Sequence, residues 1–258
     1  MVVVVPRLKY RTLRFLLKTI GRLSDGVDLG WRTGFDSGAM LQYVYENEPR
    51  GKLGLGKLID AKFLSNPVWD AVRSRRDLLV HQLTAAIAKY DRPVVFDLAA
   101  GLASYLFMLP AGSANFIAGD YDANLVRDGH RKANAAGRTD ITFAQNDALN
   151  LERFAVRHAD ILVSSGFFDI LTHDDDIRTV LQNGSAITSP GARWVFTVQE
   201  SHPDLELLRE SLVDLNQRPW DLVPRPAGEL VRWAEPLGWR LETVAHNAYF
   251  GVGTLLRQ

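Results

Sequence analysis

Short apolar segments alternate with helix-like segments from Pro93 to the end of the chain, and this alternation constrains the fold most. The apolar segments are residues 94–96, 114–118, 141–143, 160–164 and 193–198. Apolar strands separated by helices are typical of a parallel sheet that is covered on both faces, so the pattern predicts an α/β fold. Two final strands, 239–245 and 249–256, are joined too closely for a parallel crossover, which predicts an antiparallel C-terminal hairpin.

The first 92 residues have a different pattern, in which helices alternate with polar turns. We predict helices at 57–64 and 67–90 and a loop over the Gly- and Asp-rich residues 25–38. The first helix has an apolar face and a basic face, which predicts a docking helix, with an anionic membrane surface as the alternative. The sequence thus divides into an N-terminal helical cap, 1–92, and an α/β domain, 93–258.

The composition excludes several classes of site. Thirty Lys and Arg residues balance thirty Asp and Glu residues, so the chain has no net charge that a nucleic acid would neutralise. It has no cysteine, which excludes disulfides, thiolate zinc sites and a cysteine nucleophile and fits a cytoplasmic protein. No stretch approaches 18 consecutive apolar residues, so we predict no membrane-spanning helix.

Polar residues follow the first three predicted strands, where open α/β sheets bind ligands. Small residues follow strand 1, the acid Asp120 ends strand 2, and Asn146 and Asp147 follow strand 3. An acid at the second strand end suits the hydroxyls of a ribose. The first turn contains a single glycine, Gly101, whereas a dinucleotide site needs three, and the chain has no phosphate-binding P-loop motif. The pattern therefore favours a nucleoside that carries no phosphates.

The segments VFDLAAGLASYL, IAGDYDANL and FAQNDALN have the order and spacing of the corresponding motifs of the class I S-adenosylmethionine (SAM) methyltransferases. Residues 90–258 resemble that family, with Ala99 where many of its members have glycine. The segment GFDSGAMLQYVYENEPRGKLGLGKLID extends the resemblance to a bacterial methyltransferase-like group with a helical N-terminal region. The resemblance implies a Rossmann-like, seven-stranded, mostly parallel sheet with SAM as the cofactor.

The same resemblance implies roles for individual residues in a cofactor site. Asp120 would bind the ribose hydroxyls, and Asp147, with Asn146 beside it, would bind the adenine amino group. Asp97 would orient the methionine amino group, because a carboxylate attracts that cation. The remaining expected cofactor contacts are Ala99, Gly101, Tyr121, Ala148 and Ser164.

A methyl acceptor that carries a proton also needs a base. We predict His202 as a catalytic residue, with His173 as a weaker candidate. Tyr43 and Tyr45 are further catalytic candidates, because aromatic rings attract a sulfonium cation. The expected walls of the substrate pocket are Phe35, Phe167, Phe168 and Ser201, with at least one of the paired phenylalanines in the core.

These features predict a SAM-dependent enzyme that methylates a small molecule and binds neither a nucleic acid nor a metal. Asp174, Asp175 and Asp176 suit the positive end of a helix better than a metal ion. The alternative is a cyclase whose only substrate is SAM, which it converts to azetidine-2-carboxylate and methylthioadenosine. A non-catalytic SAM-binding module is a third interpretation.

Overall fold

The computed structural model describes residues 5–258, and describes side chains from residue 8 onward. The chain divides into two compact units, and one of the boundaries between them lies inside a long helix. The first unit contains the residues up to Arg73 together with His202–Val223, and the second contains Ser74–Ser201 and Pro224–Gln258. Residues 1–4, which belong to the predicted cap, lie outside the described residues. The role predicted for residues 1–92 as a cap stays a prediction.

The second unit contains a seven-stranded sheet in the order β3-β2-β1-β4-β5-β7-β6. Strands β1 to β5 pair in parallel, and β7 pairs antiparallel with both β5 and β6. The predicted α/β class, the seven strands and the C-terminal hairpin are therefore confirmed. The strands are β1 (Val94–Asp97), β2 (Asn115–Asp120), β3 (Ile141–Gln145), β4 (Ile161–Ser164), β5 (Arg193–Gln199), β6 (Trp239–His246) and β7 (Phe250–Arg257).

Helices cover both faces of this sheet and exclude water from it. One face packs around Trp194 and Trp239, and the other packs around Phe116 and Phe143. Continuous burial along β4 and β5 explains why these strands are apolar at almost every position. The helices of this unit are the second part of α5 (Pro67–Ile87), α6 (Ala123–Ala135), α7 (Phe167–Ile170), α8 (Asp174–Ala186) and α10 (Ala227–Ala234).

The first unit is helical and has a core of its own. It contains α1 (Val5–Lys18), α2 (Asp25–Thr33), α3 (Gly38–Glu46), α4 (Leu55–Leu64), the start of α5, and α9 (Leu205–Ser211). Its core includes Val27, Trp31, Phe35 and Leu208. Helix α1 packs on α9, and the Tyr10 hydroxyl donates to Asp204 at 3.1 Å, so one side of the first helix docks within this unit, whereas Leu8 and Phe15 stay exposed.

The predicted loop at 25–38 is wrong over most of its length, because α2 occupies Asp25–Thr33. Ser24 caps this helix by accepting a hydrogen bond from the backbone N–H of Val27 at 3.0 Å. The glycines that suggested a loop instead allow close packing. A Cβ atom at Gly30 would lie 2.4 Å from the Phe35 ring.

Candidate functional site

The carboxyl ends of β1, β2 and β3 bring the predicted cofactor residues together at one edge of the sheet. Asp97 ends β1 and pairs in register with Ala118 of β2, while Asp120 ends β2 and pairs with Gln145 of β3. The strand order reverses between β1 and β4. Such a reversal is where open α/β sheets form a ligand crevice.

The turn after β1 has three successive backbone N–H groups that are already hydrogen bonded. Ala99 donates to Asp97 at 3.1 Å, Ala100 donates to the Gly119 carbonyl at 2.7 Å, and Gly101 donates to Asp120 at 2.7 Å. Gly101 has φ +56°, which a glycine adopts without strain. A pyrophosphate needs such N–H groups for itself, so this turn suits a cationic group better than a phosphate.

Asp120 joins the turns that follow β1 and β2. One carboxylate oxygen accepts the Gly101 N–H, and the other accepts the Asp122 N–H at 2.9 Å. Asp122 in turn caps α6 by accepting from Asn124 at 2.7 Å. Burial raises the pKa of Asp120, and the backbone N–H groups of Asp122 and Gly101 oppose that rise. Each oxygen keeps acceptor capacity, so the carboxylate can still receive hydrogen bonds from a ligand.

Asp97 is almost completely buried. The Tyr105 hydroxyl donates to one of its oxygens, and the Ala99 N–H donates to the other. Burial raises the pKa of Asp97 to about 7, and these two hydrogen bonds oppose the rise. A carboxyl group in this setting holds the turn in place and changes its protonation near neutral pH.

Asn146 is buried, and its side chain is used within the protein. Its Nδ2 donates to the Leu98 carbonyl at 2.8 Å, and its Oδ1 accepts the Ala155 N–H at 3.2 Å. Asn146 therefore ties the ends of β1 and β3 to the segment that follows. Its neighbour Ala148 is also buried, and the Ala148 carbonyl accepts from Asn183 at 3.0 Å.

A cavity of about 280 Å³ lies beside these strand ends. The residues that line it are Tyr121, Gln145, Asn146, Asp147 and Arg153. This volume is slightly below the usual range for small-molecule pockets, about 300–1,000 Å³, and suits part of a ligand such as a nucleoside base. Tyr121 is 69% exposed, so its ring is available to a ligand. Sequence analysis missed Arg153, because no motif marks it.

Three of the residues predicted to contact the cofactor or line the substrate pocket near the end of β4 are buried: Ser164, Phe167 and Phe168. Ser164 is buried and accepts from Trp194 Nε1 at 3.0 Å. Phe167 and Phe168 both belong to the buried core, as expected for at least one of them. Ser201 is exposed, and its carbonyl accepts from Gln199 at 3.3 Å.

A buried ion pair joins Arg75 of α5 to Asp169 of α7, which follows β4, and no sequence motif indicates it. Arg75 Nη1 lies 3.1 Å from Asp169, and the Arg75 guanidinium lies over the Phe250 ring at 4.8 Å. Asp169 also accepts the Gln199 N–H at 2.6 Å. Burial raises the pKa of Asp169, and the charge of Arg75 opposes the rise. The pair thereby holds together segments that follow β4, end β5 and begin β7.

A histidine–carboxylate pair lies at the same edge of the sheet. His246 Nδ1 is 2.8 Å from Glu200, whose other oxygen accepts the Ala227 N–H at 2.9 Å. Glu200 directly follows β5 and His246 ends β6, and these two strands run in the same direction because each is antiparallel to β7. The residues are 46 positions apart, so sequence spacing did not connect them.

Four other predicted residues lie in the helical unit. Tyr43 is buried, and its hydroxyl donates to Asp60 at 2.5 Å. Burial raises the pKa of Tyr43, and the hydrogen bond to Asp60 adds to the rise. Phe35 lies in the core against Trp31, and Tyr45 is half-buried. The Tyr43 hydroxyl thus has a structural partner, and its predicted catalytic role stays a prediction.

His202 is the fourth of these residues and begins a turn before α9. Its Nδ1 accepts the Asp204 N–H at 3.1 Å. Burial lowers the pKa of His202, although Asp204 opposes the change, so the ring is neutral at pH 7. The other candidate, His173, is exposed at the start of α8 and makes no capping hydrogen bond with its side chain.

Two negative findings apply to residues 5–258. Within them, no group of three or more His, Asp or Glu side chains is arranged to hold a metal ion. In that same part of the chain, no helix combines the length and the apolar character needed to cross a membrane.

The comparison with known families decides where this chain belongs. A family model described as "Putative methyltransferase" matches residues 2–254. The chain is a member of that family. The resemblance to methyltransferases found in the sequence is thereby confirmed.

Individual proteins similar to this chain extend the comparison. The chain is 30% identical over 234 residues to the uncharacterized protein YnbC of Escherichia coli, covering 86% of this chain and 40% of YnbC. It thus spans about two fifths of that relative. A possible exported protein from Bordetella parapertussis has a similar structure, with 20% identity, a TM-score of 0.66, and coverage of 86% of this chain and 79% of that one.

A third similar structure is magnesium protoporphyrin IX methyltransferase from Synechocystis with bound S-adenosylhomocysteine. It is 15% identical, has a TM-score of 0.62, and covers 93% of this chain and all of the other. At this identity the similarity establishes the fold alone. The predicted Rossmann-like methyltransferase fold is confirmed.

Proposed function

We propose that this chain is a SAM-dependent methyltransferase that acts on a small molecule. Its family membership and the SAM-dependent methyltransferases among its structural neighbours support SAM as the cofactor. The observation that carries the proposal is the cavity of about 280 Å³ lined by Tyr121, which directly follows Asp120, and by Gln145, which pairs with Asp120 between β2 and β3. A carboxylate next to a base-sized cavity is the arrangement that a nucleoside requires.

The residues at this edge fit the separate parts of SAM. Asp120 would accept hydrogen bonds from the ribose hydroxyls, and Asp147 would accept one from the adenine amino group. Tyr121 would pack on the adenine ring. When bound, SAM supplies a methyl group that is already activated by its sulfonium.

The turn after β1 suits the cationic methionine amino group. Its N–H groups at Ala99, Ala100 and Gly101 are engaged within the protein, so this turn does not offer them to an anion. Asp97 lies directly behind this turn. Its carboxylate would attract the ammonium group, and the proximity of that cation would favour the ionised form of Asp97.

Transfer to a nucleophile that bears a proton also requires a base. The Glu200–His246 pair, which lies where β5 and β6 end, would supply one. Glu200 would hold the imidazole in one tautomer and one orientation, as carboxylates do for catalytic histidines. This pair is a candidate base besides His202, whose Nδ1 already accepts a backbone N–H.

Incubation of the purified protein with SAM alone, followed by mass spectrometry, tests the proposal. We expect bound SAM to remain unconsumed, and S-adenosylhomocysteine to form once a small-molecule acceptor is added. Methylthioadenosine in equal amount with azetidine-2-carboxylate would instead identify a SAM cyclase. A protein that binds neither SAM nor S-adenosylhomocysteine would refute both activities.

A further inference from the structure

We propose that the helical unit docks peripherally on an anionic lipid surface through a loop that exposes three leucines. This segment, residues 52–58, consists of a turn and the first residues of α4, and it is called the leucine loop below. Leu53, Leu55 and Leu58 are 88%, 50% and 70% exposed. Single exposed leucines are ordinary on protein surfaces, but three within six residues are a concentrated apolar patch.

The backbone of the leucine loop has an uncommon conformation at its most exposed leucine, Leu53. Leu53 has φ +57° and Gly54 has φ +65°, both in the left-handed region. A leucine adopts this region only at an energetic cost, and here its side chain gains no burial in return. The fold of the monomer therefore gives no reason for an apolar residue at this position.

The base of the leucine loop is fixed to the rest of the unit. The Lys52 N–H donates to the Leu23 carbonyl at 2.9 Å, and the Gly56 N–H donates to the Lys52 carbonyl at 2.8 Å. A Cβ atom at Gly56 would lie 2.1 Å from the Leu23 carbonyl oxygen, so only glycine fits there. The exposed leucines are thus presented by an anchored turn.

The charged residues within 49–59 are all positive, although Arg50 is paired with Glu46 at 2.5 Å and the acid Asp25 donates its backbone N–H to the Arg50 carbonyl. Residues 49–59 contain Arg50, Lys52 and Lys57 and no acid, and the neighbouring Asp60 is completely buried. Lys52 and Lys57 are both exposed. Because the whole chain has zero net charge, this excess of positive charge is local. Lysines next to exposed leucines match a lipid surface with anionic headgroups, which attract the cations while the acyl region accepts the leucines.

Helix α1 and the turn after it also combine exposed apolar side chains with basic residues. Residues 5–24 contain no acid, and Leu8, Phe15 and Ile20 are each more than half exposed. The turn 20–23 packs on both α1 and α4, which begins inside the leucine loop. The exposed apolar residues of α1 and those of the leucine loop are therefore connected through the turn at residues 20–23.

Sedimentation of the full chain with lipid vesicles tests this proposal. The probes are vesicles of phosphatidylcholine alone and vesicles that also contain phosphatidylglycerol, each at low and high salt. We expect binding to the anionic vesicles, weakened by salt, and at least tenfold weaker binding to phosphatidylcholine alone. Failure of the wild-type chain to sediment with the anionic vesicles would overturn the proposal.

Two variants locate the binding surface. The double variant Leu53→Ser/Leu58→Ser should bind the anionic vesicles at least tenfold more weakly, because both leucines are exposed and contribute little to folding. The control Leu241→Ser alters a 42% exposed leucine of β6 and should bind like wild type. Equal binding by all three proteins would overturn the proposal, as would loss of a dimer in the double variant without any vesicle binding.

Discussion

Replacing Asp120 with alanine tests the proposed nucleoside site through its most specific contact. The carboxylate holds the Gly101 and Asp122 N–H groups at 2.7 and 2.9 Å and would also accept the ribose hydroxyls. A hydrogen bond to a charged group contributes about 1.5–3 kcal/mol. Each oxygen of Asp120 already accepts one hydrogen bond, so we expect its bonds to the ribose to be weaker than isolated ones. The variant should therefore lose about 2–4 kcal/mol of binding free energy. That loss corresponds to roughly 30- to 700-fold in affinity.

The affinity is measured by calorimetric titration with S-adenosylhomocysteine, and folding is checked by circular dichroism. The control is Asp175→Ala, which alters a carboxylate that is 91% exposed and should leave affinity unchanged. The placement of the ribose would be refuted if the folded Asp120→Ala protein bound S-adenosylhomocysteine within threefold of wild type.

Three further changes have defined outcomes. Asp60→Asn should lower the free energy of unfolding by about 2–4 kcal/mol in denaturant titrations, because Asn accepts fewer of the donors around a buried carboxylate; an unchanged midpoint would contradict this. The free energy of unfolding of the wild type should fall as the pH rises from 4 to 7, because folded Asp97, with a pKa of about 7, keeps a proton that the unfolded chain releases. Asp97→Asn should reduce that slope, and parallel pH curves would argue against it. His246→Asn should slow S-adenosylhomocysteine formation about 100-fold or more with acceptors that lose a proton, whereas His158→Asn, in a pair with Asp160, should not.

The sheet could be predicted because its strands are apolar on both faces. Each predicted strand overlaps an observed one, and the acids Asp97 and Asp120 stand at strand ends as expected. Helix α2 could not be predicted from local pattern. Its glycines Gly26 and Gly30 signal a loop locally, but the packing of Tyr43 and Phe35 against them is a tertiary effect.

Hydrogen bonds within the protein are the part of the site that sequence analysis could not predict. Asn146 follows β3 in a position typical of adenine recognition, yet its amide bridges Leu98 and Ala155. Tyr43 is predicted to face a sulfonium, and its hydroxyl donates to Asp60, which also accepts from Ser24 and from two backbone N–H groups. Such contacts join residues that are distant in sequence, so a local motif does not contain them.

A crystal structure of the protein with S-adenosylhomocysteine tests the central claim most directly. We expect density for the adenine in the cavity lined by Tyr121 and Asp147, with the ribose hydroxyls within hydrogen-bond distance of Asp120. Density for the ligand at another edge of the sheet, or a cavity that stays empty at saturating ligand, would contradict the proposed cofactor site.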